Sequence, residues 1–307
     1  MLSRVASNLY WMSRYLERAE NMARILDVGA SLALLSGQDD ERASIEPLVI
    51  TETLDAFTGT SGPRTPEAVA RFLAWDPEHP SSIVNCLHAC RENARSVRGS
   101  ITSEMWENIN DTWLQMVSKR AFHPTDAAFF EWVKERSHLF RGITYATIRR
   151  DQPYLFIRLG TFLERADNTA RILSVKQARQ RPQTRADTLN DHYRLSAVLR
   201  SVSALEAYRD TYRDAIDAER VASLLIFDAS LPRSLRHCFD EVVANLNGLP
   251  QAPARTARRL AAHMLALLQH GELEDVHGVG LDAFLERFLR NNVRLGEAVH
   301  AAYMEMK

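Results

Sequence analysis

Leu16-Glu17-Arg18-Ala19-Glu20-Asn21-Met22-Ala23-Arg24-Ile25-Leu26-Asp27-Val28 recurs as Leu163-Glu164-Arg165-Ala166-Asp167-Asn168-Thr169-Ala170-Arg171-Ile172-Leu173-Ser174-Val175, with ten of thirteen positions identical at an offset of 147. Around the first copy, Trp11, Met12, Tyr15, Leu16, Ala19, Met22, Ala23 and Leu26 fall within an arc of about 140° at about 100° per residue, which predicts an amphipathic helix over about 4–35. A second match follows at an offset of 152: Glu67, Val69, Ala70, Leu73, Asp76, Pro80, Ser82, Cys86 and Asn93 pair with Glu219, Val221, Ala222, Leu225, Asp228, Pro232, Ser234, Cys238 and Asn245. Two colinear matches with a five-residue shift read as an ancestral duplication. The chain is therefore expected to be all-α, a helical bundle of two tandem diverged repeats of about 150 residues, 1–150 and 151–307, joined in one compact unit.

Helical periodicity continues through segments near 43–57, 65–74, 81–99, 103–120, 125–150 and 154–180, then near 187–212, 218–226, 232–247, 254–270 and 281–305. Gly and Pro cluster at 59–66 and 248–253, between segments. Pro182 lies between the segments near 154–180 and 187–212, and Ser103-Glu104 and Pro124-Thr125-Asp126 read as helix starts. No run alternates apolar and polar long enough to predict a strand.

The formal net charge of −1 lacks the basic excess of a nucleic-acid binder. Basic residues are 34 arginines and only four lysines, and arginine suits bidentate carboxylate or phosphate recognition. Cys86, Cys90 and Cys238 form no disulfide framework and read as small core residues. Residues 1–9 lack the apolar stretch of a signal peptide, and no apolar run reaches the roughly 18–20 residues of a membrane span. A cytoplasmic location without membrane contact is expected.

Opposite the apolar arc, Glu17, Asn21, Arg24 and Arg14 share one face, and Glu164, Asn168 and Arg171 repeat it with Thr161 in place of Arg14. A solvated face stitched by weak pairs is one reading. However, Ile25 and Val28, and Ile157, Ile172 and Val175, sit on these polar faces, which predicts that something covers them. Glu17 and Glu164 are then expected to be at least half buried and each to contact one or more arginines, because an ionised carboxylate under cover needs a partner. Arg91, Arg95 and Arg98, within about 60° on another helix, need an anionic partner in turn, either protein carboxylates such as Glu17 or Glu164 or a bound anion. Glu135-Arg-Ser-His138 and Glu274-Asp-Val-His277 match the Glu-x-x-His spacing of di-metal bundles, but chance explains them. No metal or cofactor is expected. There is no Gly-rich phosphate loop, nucleophile elbow or Cys-His pair with recognisable context.

Tyr10 to Asn21 and Phe156 to Asp167 resemble the two Glu-Arg signatures of the bacterial alpha-E family. Trp75-Asp76 to Ile83, and Arg91-Glu92-Asn93-Ala94-Arg95 through Glu104-Met105-Trp106, resemble its two intervening motifs. The likeness runs from about residue 1 to 305, and departs at His79, where a small amide residue is expected before Pro80. The resemblance implies an all-helical domain of unassigned activity, encoded beside or fused to circularly permuted ATP-grasp ligases and transglutaminase-like proteins. It implies a role in peptide or amide-bond formation, with Glu17, Arg18, Glu164 and Arg165 as matching positions and Arg91, Glu92, Asn93 and Arg95 behind them. It brings no catalytic mechanism. The expectation is an accessory protein that binds the ligase, or a peptide or amino-acid substrate, through faces lined by Glu17, Arg18, Asn21, Arg24, Glu164, Arg165, Asn168, Arg171 and the Arg91–Arg98 segment. The alternatives are an enzyme with Glu17 or Glu164 as acid/base, and a scaffold without ligand.

Overall fold

The computed structural model describes residues 1–36, 41–59, 63–118, 123, 125–177 and 185–305, with side chains outside 33–36, 41–43, 175–177 and 185–190. Pro124, Pro182 and the side chain of Val175 lie outside the described residues. The described residues hold fifteen α-helices and no strand. The N-terminal half contributes α1 (Ser3–Ser36), α2 (Glu41–Ile50), α3 (Leu54–Thr58), α4 (Pro66–Trp75), α5 (Ile83–Ser96), α6 (Ser103–Ser118) and α7 (Ala127–Thr147). The C-terminal half contributes α8 (Gln152–Gln177), α9 (Arg185–Ser201), α10 (Leu205–Tyr212), α11 (Ala218–Phe227), α12 (Leu235–Gly248), α13 (Arg255–His270), α14 (Leu273–Val279) and α15 (Leu281–Tyr303).

Local chemistry explains most boundaries. Thr65 caps α4 with Pro66 in its first turn, and Asp217 caps α11 by accepting from Glu219 N and Arg220 N. Ser82 and Ser234, paired at the offset of 152, cap α5 and α12 in the same way, accepting from Asn85 N and His237 N. Asp126 caps α7. For α6 the hydroxyl that accepts from the first turn is Thr102, bonded to Met105 N at 3.3 Å, one residue before the expected start.

Two expected helices are each broken in two. The segment near 43–57 divides at Glu52 (φ 54°) and that near 187–212 at Ser203 (φ 53°), both left-handed. In each case the next amide reaches back five residues, Thr53 N to Leu48 O at 2.9 Å and Ala204 N to Leu199 O at 2.7 Å, closing a Schellman turn. Glycine usually marks that position. Here it is Glu and Ser, so the sequence carried no stop signal. Gly271 and Gly280 do end helices, as the C-caps of α13 and α14, and a capping box of Glu272 and Asp275 starts the short α14 between them.

Helices α1 and α8 form the centre. α1 packs against α2, α4, α5 and α7 of its own half and against α8, α9 and α15 of the other. Its apolar arc is buried (Leu9, Met12, Leu16, Ala19, Leu26), but so are Ser13, Glu17, Glu20 and Asn21 on the polar face. Ile25, Ile157 and Ile172 are buried as well, and the cover over each polar face is largely the other long helix. The two cross where Ser13 meets Gly160, a pair at the offset of 147. A Cβ on residue 160 would run into Ser13 Oγ and the Tyr10 carbonyl, so only glycine permits this approach.

Candidate functional site

The close crossing brings the two Glu-Arg dipeptides face to face, and each exchanges partners with the other. Arg165 donates through Nε to Glu17 Oε1 (2.8 Å) and through Nη2 to Oε2 (3.0 Å). Arg18 does the same to Glu164, Nε to Oε1 at 2.6 Å and Nη2 to Oε2 at 3.1 Å. Both are planar two-pronged pairs, the geometry for which a guanidinium is built. The four residues form a reciprocal clasp between the halves.

Further cations surround it unequally. Glu164 also receives Arg14 (Nε to Oε2, 2.8 Å), whose Nη1 donates to Tyr10. Glu17 also receives Arg141 of α7 at 3.1 Å and Arg233 at 3.2 Å. Arg233 additionally donates to Asn21 Oδ1 (2.9 Å) and Glu20 Oε1 (2.5 Å), and Arg141 to Glu20. One turn along, Arg24 pairs with Glu20 and Arg171 with Asp167, at 2.9 and 2.6 Å. Both arginines then reach the left-handed breaks of the opposite half: Arg24 donates to Ser203 Oγ (2.6 Å), and Arg171 Nη1 lies 2.7 Å from Glu52 Oε1. That last contact is an ion pair.

Burial by itself would raise the carboxyl of Glu164, but the Arg18 and Arg14 guanidiniums outweigh it and hold the pKa at about 2. Glu17 moves down in the same way: burial and Glu20 oppose the shift, while Arg165, Arg233 and Arg141 drive it. Glu20 lies well below its ordinary value, with Arg233, His138 and Arg141 overcoming burial. Burial brings Arg233 down to about 10 despite Glu20 and Glu17 beside it. All three carboxylates are ionised at neutral pH, and none has the near-neutral pKa of a general acid or base.

Arg91 and Arg95 of α5, and Arg98 in the turn that follows it, do not join this network. Arg91 donates to Asn110 (2.9 Å) and Glu92 (2.9 Å), and Arg95 pairs with Glu92 at 2.6 Å on the surface. Arg98 lies over the Trp106 ring at 4.7 Å, and Asn93 donates to the Ala89 carbonyl. The expectation that Arg91, Arg95 or Arg98 meets Glu17 or Glu164 is therefore corrected. The face of α5 turned inward carries Cys86, Cys90 and Ala94, and Glu92 and Trp106 balance the like charges locally. The partners that reach Glu17 instead, Arg141 and Arg233, come from segments that no local motif marks. One signal was present for Arg233: it occupies the position that Ser81 holds in the first copy, at the offset of 152.

That exchange leaves the two sides of the clasp different. On one side Arg233 fills the space beside Asn21 and Glu20. On the other, a cavity of about 190 Å³ opens between α1, α8 and residues 50–53, lined among others by Arg18, Asn21, His79, Ser81, Asn168 and Arg171. The cysteines are buried and free, with burial pushing the Cys86 and Cys238 thiols up to about 12. The two Glu-x-x-His segments do not meet: His138 lies by Arg24 and Glu20, and His277 by Glu219. Among the described residues no group of three His, Cys, Asp or Glu is placed to hold a metal ion, and no helix is long and apolar enough to cross a membrane.

The model of the Alpha-E family, described as a predicted alpha-helical domain with a conserved ER motif, matches residues 1–304. The chain belongs to the Alpha-E family. The motif in that description fits the Glu17-Arg18 and Glu164-Arg165 dipeptides of the clasp. Among proteins similar to this Alpha-E chain are uncharacterized proteins of Mycobacterium bovis and of Mycobacterium tuberculosis strain CDC 1551. Each is 26% identical over 318 residues, covering 93% of this chain and 35% of the relative. The chain thus spans about a third of the length of these curated relatives. No solved structure matches it.

Proposed function

We propose that this Alpha-E chain is a non-catalytic accessory protein of an ATP-grasp amidoligase system, acting in the cytoplasm, where it holds an amino-acid or peptide substrate for the ligase. The observation that carries the reading is the commitment of both motif carboxylates. Glu17 and Glu164 are buried, ionised and bonded by three and two guanidiniums respectively, which suits a structural clasp and not acid/base chemistry. The Glu/Arg faces lie inside the molecule, so docking of a ligase falls to other surfaces and small-molecule binding to the cavity beside the clasp. The relatives' greater length supports a unit that works joined to others. The matched residues and the parallel order of helices in the two halves support its origin by duplication.

Affinity purification of the chain from its native cell, with identification of whatever is retained, tests the reading. An ATP-grasp ligase or a transglutaminase-like protein is expected in the eluate. Retention of neither would overturn the accessory role, and amide-bond chemistry by the purified chain alone would overturn the non-catalytic one.

A further inference from the structure

We infer that the cavity beside the clasp is a binding site for a free α-amino acid or a zwitterion of that size. Its cationic group would lie against Asp167 and Glu164, and its carboxylate on the amide N–H groups of Asn21 and Asn168. The inference deepens the accessory reading and rests on it.

The first observation is unmet hydrogen bonding. Among the described residues, eight buried polar side-chain atoms lack a hydrogen bond of good geometry, and four of them line this one cavity: Arg171 Nη1, which is met by Glu52 at 2.7 Å, and Asn21 Nδ2, His79 Nε2 and Asn168 Nδ2, which stand unmatched. Asn21, His79 and Asn168 are each more than nine-tenths buried. A buried polar atom left unpaired keeps its desolvation penalty uncompensated, so such a concentration marks a place where a partner belongs. All four atoms are nitrogens. The orientation of Asn21 is fixed by Arg233, which donates to its Oδ1 and leaves Nδ2 facing the other way. Burial lowers the pKa of His79, so its ring is neutral at pH 7 and its Nε2 donates in one tautomer and accepts in the other, while the two amides donate. The cavity therefore offers donors to a group that accepts.

The second observation comes from the opposite side of the clasp. There the guanidinium of Arg233 bonds Asn21 Oδ1, Glu20 and Glu17. The residues at the offset of 147 are Asn168, Asp167 and Glu164, and they line the cavity. The position of Arg233 is held there by Ser81, whose side chain is too short to fill it. The molecule thus displays, in its closed half, a cationic group seated on the counterparts of the residues that stand open in the other. Glu52, whose side chain is exposed, adds a further carboxylate to the lining.

Charge and size complete the assignment. In the wall Arg18 and Arg171 face Glu164, Asp167 and Glu52, one negative charge in excess, which favours a ligand that carries a cationic group beside its carboxylate. A space of about 190 Å³ is below the range of about 300–1,000 Å³ that takes drug-sized molecules. A single amino acid fits that scale.

The test is isothermal titration calorimetry of the 307-residue chain with L-alanine, L-glutamine and L-glutamate, beside propionate, propylamine and inorganic phosphate. At least one amino acid is expected to bind saturably, about tenfold or more tighter than propionate or propylamine, which each carry half of the zwitterion. Ser81→Arg, which copies the closed side, and Asn168→Asp, which replaces a donor with a carboxylate of the same shape, should each weaken binding about tenfold or more with the helical circular-dichroism signal retained. No binding of any of the three amino acids would overturn the inference whatever the variants do. So would equal binding of phosphate or propionate, or binding that survives both substitutions. If no amino acid binds and the ligase still co-purifies, this inference alone falls. If an amino acid binds and no ligase is retained, the site stands and the accessory role falls.

Discussion

Glu17 and Arg165, 148 residues apart, are joined by two parallel hydrogen bonds of 2.8 and 3.0 Å, and the counterpart pair Glu164 and Arg18 is joined in the same way. Each half supplies one acid and one base to the other. The motif works as a pair of crossed links between two helices, and its disruption should be felt first as loss of stability.

Glu164→Gln and Glu17→Gln leave two and three buried or half-buried arginines without their shared carboxylate. Breaking one side of a buried pair typically costs about 3–5 kcal/mol. Thermal and urea denaturation should show losses of that order for both variants. An exposed control, Glu92→Gln, concerns surface pairs worth about 0–1 kcal/mol and should change little. Losses below about 1 kcal/mol at both Glu17 and Glu164 would show that the clasp is not structural.

Stability should fall in acid with a defined sign. The folded pKa of Glu164, about 2, lies below its ordinary value of 4.5. Its contribution is full above about 4.5 and is lost as pH falls through that range toward 2. The shift corresponds to something on the order of 3 kcal/mol. Glu17 and Glu20 shift in the same direction and steepen the descent. Melting temperatures between pH 7 and pH 3 should show it, with a shallower decline in Glu164→Gln.

Gly160→Ala places a methyl group against the Tyr10 carbonyl and Ser13 Oγ, forcing α1 and α8 apart. A loss of about 1–3 kcal/mol is expected from overpacking. Gly142, inside α7 with nothing within 4 Å of an added Cβ, should respond in the opposite sense. Gly142→Ala should add about 0.5–1 kcal/mol. Equal responses at the two sites would contradict the close crossing.

Removing Arg95 or Arg98 should cost little. Arg95 is mostly exposed and Arg98 rests on Trp106, away from the clasp. Arg95→Ala and Arg98→Ala are each expected within about 1 kcal/mol of the parent. A much larger loss at either would return these residues to the central network.

Sequence alone determined the helical class, because a 3.6-residue period is written locally by the apolar side chains of each segment, as in Leu16, Ala19, Ala23 and Leu26. It also pointed to cover over the Glu17 and Glu164 faces, since Ile25 and Ile172 on a polar face are hard to explain otherwise. Tertiary structure decided which cations answer those carboxylates. Arg91, Arg95 and Arg98 looked suitable by charge and spacing, but charge attracts at any bearing, and only the packing of Cys86, Cys90 and Ala94 against α1 turns those arginines away. The breaks at Glu52 and Ser203 were hidden because neither residue is the glycine that usually permits a left-handed turn. The cavity was hidden for a related reason: it is defined by a side chain that is short, Ser81, where its counterpart Arg233 is long. An unfilled space has no periodicity, and it exists only once two distant helices have been brought to a fixed separation.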